Sequence, residues 1–507
     1  MNLQDDVQDI FQAAVHAVRP ERLFCDKISL TDQHLVGSNQ AGEPIELVNI
    51  ETLAQGRKLV VVGAGKAAAQ MALALEKTVI QPLQQRLPEL SVEGWINCPE
   101  GVTTQTKTES GIKLFAARPA GLNSPTEACV YGTEQIVRLL EQTHQEDVVL
   151  CLLSGGGSAL LTLPIAGLTL EDKQAVAELV AAAGGNIEQL NGVRQCLSQV
   201  KGSGLARACN ASQLCTLVIS DVLGDSLATI ASGPTFAETQ PSAEFALETL
   251  MELRILEHPR LQRVRRALSV QKGADQEAVP ELERAVETSQ DKAPSRTPAA
   301  GVKHLILGSN RDAVVAARHH AEQLGYECFA SSAPSSEPAV HLLAEQLATE
   351  FLAKATQATR PFCWIHGGEP TVRLPKNAGK GGRNQQLTGE VLKIWCTQFG
   401  QPNTTSVKAS ELAFLSGGTD GEDGPTDAAG AFFGESRSEP NLWRALCPTP
   451  ESAADQTKAR HRLGELETHL AHASTYDFFE EFGGLLKTGP TGTNVCDLRI
   501  MIYRPEE

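Results

Sequence analysis

With 507 residues, 41% of them hydrophobic and 21% charged, the chain has the composition of a soluble globular protein and is too long for one ordinary core. A formal net charge of −17 excludes nucleic acid or an anionic membrane as the main partner and leaves an anionic small molecule open, provided that basic residues gather locally. Twelve cysteines without a C-x-x-C pair, with Cys151, Cys215 and Cys363 inside apolar runs, point to a reducing compartment rather than a disulfide framework or a zinc ribbon. The acidic start MNLQDDVQDIF has neither the order of a signal peptide nor the arginine content of a transit peptide. A cytoplasmic location is expected, with a mitochondrial one as the alternative.

Short apolar strands alternate with helical segments along the chain. RKLVVVGAG predicts a strand and KAAAQMALALEKTV a helix, with Met71, Leu75 and Val79 at four-residue spacing. VEGWINC and IKLFAA predict strands, TEACVYGTEQIVRLLEQ a helix and DVVLCLLS a strand. Val148–Leu170 carries no charge and is long enough to span a bilayer. Its Ser154–Ser158 loop and Pro164 would leave backbone groups unpaired in lipid, so a strand and a loop are expected instead. TLEDKQAVAELVAAAG predicts a helix capped by Thr169, and QLCTLVISD the next strand. Between 269 and 300 the composition turns to Gln, Glu, Ala, Ser, Pro and Lys, which predicts a linker or surface insertion between domains at 1–268 and 301–507. Then follow KHLILGSN (strand), RDAVVAARHHAEQLGY (helix), PFCWIHGGEP (strand), NQQLTGEVLKIWCTQ (helix) and ELAFLSGG (strand). Pro448–Ser452 predicts another surface loop, 454–472 a helix and NVCDLRIMIY a last strand. Continuous apolar strands between helices predict an α/β fold with a mostly parallel sheet covered on both faces.

The glycine-rich loops after these strands carry the chemistry. Gly63-Ala64-Gly65-Lys66-Ala67-Ala68 fits the G-x-G-x-x-A dinucleotide fingerprint. However, VEGWINC ends without the acid that would hold a ribose, and a lysine at a helix N-terminus is disfavoured unless an anion is shared with the backbone N–H groups. Ser154-Gly155-Gly156-Gly157-Ser158 offers N–H groups that can converge on a carboxylate or phosphate. NGVRQCLSQVKGSGLA puts Arg194 and Ser198 four apart, as on one helix face, with Lys201 before a Gly-Ser-Gly turn. Asp221 follows an apolar strand and Asp225 follows a glycine, where open α/β sheets bind ligands. Glu369, Lys380, Gly381, Gly382, Arg383 and Asn384 repeat the pattern of a cation beside glycines at a helix entrance. SGGTDGEDGPTDAAGA sets Asp420, Asp423 and Asp427 among glycines and threonines, which suits a hydrated Mg²⁺. Each loop has an ordinary alternative as a tight turn, a solvated face or a set of capping aspartates. Five such loops at strand ends together supply the parts of phosphoryl transfer.

These segments (VVGAGKAA, LLSGGGSALL, KGSGLA, SDVLGDSLATIASGPT, GGEPTV, GKGGRNQQL, SGGTDGEDGPTDAAGA and TGPTGTNVCD, in order from Val7 to Tyr503) resemble the glycerate 2-kinase family, whose C-terminal half is called the MOFRL domain. The resemblance implies a Rossmann-like N-terminal domain, a smaller α/β C-terminal domain and an active site in the cleft between them. It implies ATP-dependent phosphorylation of D-glycerate to 2-phosphoglycerate by a monomer or homodimer, with ATP and Mg²⁺ as cofactors and no nucleic acid or membrane partner. The family's catalytic lysine, aspartate and arginine fall on Lys66, Asp221 and Arg383. Substrate contacts are expected at Ser154, Gly155, Gly156, Gly157, Ser158 and Arg194. Cofactor contacts are expected at Gly63, Gly65, Lys201, Asp225, Glu369, Lys380, Gly382 and Asn384, and metal contacts at Asp420 and Asp423. The chain departs from many members at ARPAGLNSPTEA and at HAST before YDFFEEF. The competing readings are an NAD(P)-dependent hydroxypyruvate reductase, distinguished by consumption of NADH, and a non-catalytic metabolite-binding protein.

Overall fold

A computed structural model describes residues 2–506 other than 56, 103, 105, 120, 123, 237–240, 273–301, 335, 400–406, 437–440 and 448–452. The predicted loop at 448–452 lies outside the described residues. So does the predicted linker from 273 onward, while 269–271 end the helix Gln262–Gln271. The chain forms two compact units. One comprises Phe24–Ile219 and Asp225–Leu307, and the other Met1–Leu23, Ser220–Gly224 and Gly308–Glu507.

The first unit starts with an antiparallel sheet of β1 (Ile28–Leu30), β2 (His34–Ser38) and β3 (Pro44–Asn49). Its main sheet has six strands: β4 (Lys58–Ala64), β5 (Ser91–Pro99), β6 (Lys113–Arg118), β7 (Val148–Leu153), β8 (Gln213–Ile219) and β9 (Val302–Gly308). Their order is β6-β5-β4-β7-β8-β9, with β4 parallel to β5 and β7, β5 to β6 and β7 to β8. In chain order this reads 3-2-1-4-5-6, the doubly wound arrangement, whose direction of winding reverses between β4 and β7. Val60, Val61 and Val62 are all buried because helices cover both faces, which is why the strand reads as an unbroken apolar run. The helix after β4 runs as Ala68–Leu75, a π turn Glu76–Ile80 and Gln81–Arg86. Thr169 caps Leu170–Ala182 in a reciprocal box with Asp172, as its spacing predicts. The uncharged stretch from Val148 is β7 and then a loop with the short helix Gly157–Leu160, and among the described residues no helix is long and apolar enough to cross a membrane.

The second unit holds a mixed sheet of β10 (Glu327–Ser331), β11 (Phe362–Gly368), β12 (Leu412–Gly418), β13 (Gly430–Gly434), β14 (Leu485–Leu486) and β15 (Asp497–Tyr503). The order is β10-β11-β15-β12-β13-β14; β10 and β11 are parallel, and the other neighbouring pairs are antiparallel. The last strand therefore sits in the middle, and all seven of its residues are buried. The helix Leu3–Ala17, which the strand-based reading did not foresee, belongs to this unit and buries Val7, Ile10, Phe11 and Ala14. Trp395 anchors the core: it stacks on Phe351 with ring centroids 5.7 Å apart and meets Phe433 edge-on at 5.5 Å.

A Cβ at Gly63 would lie 2.2 Å from the Leu152 carbonyl oxygen, a backbone atom that cannot move without breaking the β4–β7 ladder. Gly63→Ala is expected to cost about 3 kcal/mol or more. Gly464, in the helix Ala453–Ala471, meets nothing within 4 Å at its Cβ position, so Gly464→Ala should stabilise by about 0.5–1 kcal/mol. Melting curves of the two variants check both signs.

Candidate active site

At the switch point, the carboxyl ends of β4 and β7 are stitched together. Ser154 N–H donates to the Ala64 carbonyl (3.2 Å), Lys66 N–H to the Gly155 carbonyl (2.8 Å) and Ala67 N–H to Ser154 Oγ (3.0 Å). This approach requires glycine at 65, where φ is 146° and a Cβ would fall 2.1 Å from Ser154 Oγ. Ser154 is buried and its oxygen is engaged by Ala67, so it holds the Lys66 turn rather than a substrate. Gly157 N–H donates to the Ser154 carbonyl at 3.1 Å, so it does not join the expected set of converging donors. Gly156 takes the left-handed conformation (φ 74°), and a Cβ there would sit 3.2 Å from an Arg118 guanidinium nitrogen and 3.5 Å from Lys66 Cγ. Arg118 is buried at the end of β6.

Two residues further on, half-buried Ser158 gathers more cations. Its Oγ accepts from Lys201 Nζ (2.6 Å) and Arg194 (3.1 Å) and lies 2.9 Å from Ser232 Oγ. Lys201 Nζ also donates to the Ser158 carbonyl at 2.7 Å. Burial, then Arg194 and Lys173, push the Lys201 pKa well below its usual value. Arg194 lies on the helix Ile187–Cys196, whereas Ser198 lies past its end and donates to the Leu163 carbonyl (3.3 Å), so the two do not share a helix face. Asp225 is set apart from this group: at φ 54° its carboxylate accepts from Gln40 (3.1 Å).

In the second unit Arg383 opens the helix Arg383–Phe399. Its Nε and one terminal nitrogen make a bidentate pair with the fully buried carboxylate of Asp497 (2.6 and 2.9 Å), and the other terminal nitrogen meets Glu369 at 3.0 Å. Burial works against its charge, but Asp497 and then Glu369 more than offset that and raise the Arg383 pKa. Burial also pushes Glu369 up to about 7, with Arg383 opposing and Asp497, Asp221 and Asp420 adding to the rise. Asp221, expected with the N-terminal loops, belongs to this unit: its carboxylate accepts from Asn494 Nδ2 (3.3 Å), and its carbonyl accepts from the Cys496 thiol (3.0 Å). Asp221 and Arg383 thus share one acidic cluster.

The aspartate-rich stretch divides by role. Asp423, expected at a metal, is buried and caps the helix: its oxygens accept from Asn384 N–H (3.0 Å) and Gln385 N–H (2.9 Å). Gly382 permits this, since a Cβ there would lie 2.2 Å from Asp423 Cγ. Asn384, expected at a cofactor, is fully buried, and its side-chain oxygen accepts from Ser416 Oγ (2.6 Å). Lys380 is exposed, with its ammonium 3.4 Å from the Tyr476 ring centre, and Asp427 accepts from the Tyr476 hydroxyl (2.5 Å). Asp420, whose carboxylate accepts from Glu422 N–H (3.0 Å), is left as the aspartate suited to a metal. Among the described residues no group of three or more His, Cys, Asp or Glu is placed to hold a metal ion.

Residues 6–269 match the domain of unknown function DUF4147, and 362–497 match the MOFRL family. Rat glycerate kinase is 32% identical to the chain over an alignment covering 100% of this chain and 94% of the rat protein. The chain belongs to the glycerate kinase family. Another member, the glycerate 2-kinase of Pyrococcus horikoshii, is 28% identical over 96% of this chain and 94% of its own. The crystal structure of Thermotoga maritima glycerate kinase matches with a TM-score of 0.70 at 27% identity, covering 99% of both chains. The glycerate kinase motifs drew attention to the loops, yet Arg118, Lys173, Ser232 and Asp497 escaped the sequence reading. Arg118 had a signal, a charge closing an apolar strand, and Asp497 another, a charge opening one; Lys173, within a helix, had none.

Burial pushes Asp423 up to about 7 from an ordinary 3.8, with the two N–H groups opposing. A carboxyl whose folded pKa is raised binds more protons folded than unfolded, so its contribution to stability falls as pH rises through that window. Asp423→Asn loses one acceptor for two N–H donors and should cost about 1–3 kcal/mol. That deficit should shrink between pH 5 and 8, because only the parent must ionise a buried acid; melting temperatures across that range decide it, and a widening deficit would show the anion to be favoured.

Proposed function

We propose that the chain transfers the γ-phosphoryl group of ATP to the 2-hydroxyl of D-glycerate, giving 2-phosphoglycerate and ADP. The observation that carries this reading is one glycine loop at the sheet's switch point with Lys66 and Arg118 beside Gly156 and with Arg194 and Lys201 on Ser158. Four cations on one loop suit a small substrate with two anionic groups after reaction. The names of the relatives, glycerate kinase and glycerate 2-kinase, support the same substrate.

Asp221 accepts the proton of the attacking hydroxyl or orients it; the hydroxyl oxygen bonds to the γ-phosphorus as the bond to the β-phosphate oxygen breaks. Lys66 and Arg383 neutralise charge on the transferring group. Arg383 comes pre-oriented, since three of its N–H groups are fixed on Asp497 and Glu369 and the remainder can reach phosphate oxygens. Mg²⁺ keeps most of its waters and needs few protein ligands, and Asp420 would hold it through them. When bound it would screen the phosphate charges of ATP.

NMR of the product from D-glycerate and ATP·Mg²⁺ should show phosphorus on the 2-oxygen. Lys66→Ala and Arg383→Ala should each lower kcat by about 10²–10³ with a smaller change in KM. Asp420→Asn should raise the Mg²⁺ concentration needed for half-maximal rate. Intact kcat in both cation variants, with folding verified, would remove these roles.

A further inference from the structure

Behind Ser158 lies a charge arrangement that folding alone would not favour. Lys201 is 2% exposed and Lys173 7% exposed, and Arg194 is half-buried. The three interact as like charges, and among the described residues none of them has a carboxylate partner. Lys173 Nζ is buried with no hydrogen-bond partner in the described structure. The neighbouring acid, Asp172, is turned to Thr169, with Arg263 at 3.5 Å. Burial in a group without an acid disfavours the charged forms of these side chains, and an anion that joins them favours those forms.

The turn at Ser232 shows a second, independent feature. Ala231 (φ 51°), Ser232 (φ 65°) and Gly233 (φ 61°) are three successive left-handed residues, two of them carrying a Cβ. The strained turn is held by Gly202 N–H on the Ser232 carbonyl (3.1 Å) and Ser203 N–H on the Gly233 carbonyl (2.7 Å). It sets Ser232 Oγ 2.9 Å from Ser158 Oγ and 3.5 Å from Lys201 Nζ. Maintained strain of this kind gathers at ligand clamps.

We propose that Lys173 and Ser232 complete, with Arg194, Lys201 and Ser158, a binding site for the carboxylate of the substrate. The assignment rests on the proposed phosphorylation of D-glycerate for the identity of that carboxylate. It moves Lys201 from the nucleotide, where its sequence context put it, to the hydroxy acid. Arg194 and the two serine hydroxyls touch the carboxylate. Lys173 is a positioning residue that supplies charge from behind Arg194. Two residues away, at Gly156, the same loop meets an Arg118 guanidinium nitrogen and the stem of Lys66.

The test is calorimetric titration of the nucleotide-free protein with D-glycerate, alongside steady-state kinetics, for Lys173→Met, Lys173→Arg and Ser232→Ala. Lys173→Met should raise both Kd and KM for D-glycerate by about tenfold or more while KM for ATP stays within about twofold. Lys173→Arg should restore most of the affinity, because it keeps the charge. Ser232→Ala should weaken D-glycerate binding by about threefold to tenfold. A folded Lys173→Met protein with parental Kd and KM for D-glycerate overturns the proposal, as does a rise confined to KM for ATP. Should Lys173→Met fail to fold, parental affinity in Ser232→Ala overturns it equally. Turnover of the parent tests the kinase reading separately: a parent that binds D-glycerate without phosphorylating it sinks that reading, and the variant titrations still decide the site.

Discussion

Each unit depends, at one backbone position, on the absence of a side chain. At Gly65 the missing Cβ lets Ser154 Oγ reach Ala67 N–H and close the turn that carries Lys66. At Gly382 it lets the Asp423 carboxyl reach the first N–H groups of the helix that begins with Arg383. A helix start leaves N–H groups without intrahelical partners, and each unit supplies the acceptor from a distant segment instead of from the preceding residue. The cation at each helix entrance is thereby fixed by a buried contact, although lysine and arginine are poor choices beside the positive end of a helix.

The two units then treat their cations oppositely. Around Ser158, Arg194 and Lys201 have no carboxylate partner among the described residues. Around Arg383 the carboxylates of Asp497 and Glu369 hold one guanidinium, an arrangement that favours orientation of the arginine. A net charge of −17 conceals both, since it averages over a surface on which neither cluster is typical.

Much of this was legible in the chain. The strand-end glycine loops pointed to Lys66 and Ser158, which lie at the carboxyl edge where a parallel sheet brings its loops together. The roles of Asp423 and Asn384 were not legible: capping and metal binding call for the same residue types in the same glycine-rich setting, and only burial separates them. Lys173 was invisible for a related reason, since a lysine on an amphipathic helix is ordinarily solvated. The antiparallel pairing of β15 between β11 and β12 also escaped, because a strand buried on both faces reads alike in either direction. The helix Leu3–Ala17 shows an apolar stripe, but nothing local says which sheet it covers.

That last helix bears on how the protein is made. Its partners in the second unit, among them Glu435, which accepts from Gln4 N–H, and Thr493, which donates to the Val18 carbonyl, are translated long after it. The stretch from Phe24 to Leu307 leaves the ribosome in between and holds nearly all of the first unit, so that unit can close while translation continues. The stripe of Val7, Ile10, Phe11 and Ala14 lacks, until then, the surface that buries it in the folded unit. With β15 at the centre of its sheet, the second unit cannot finish until Asp497–Tyr503 has emerged, so Leu3–Ala17 is made long before the sheet it packs against is complete.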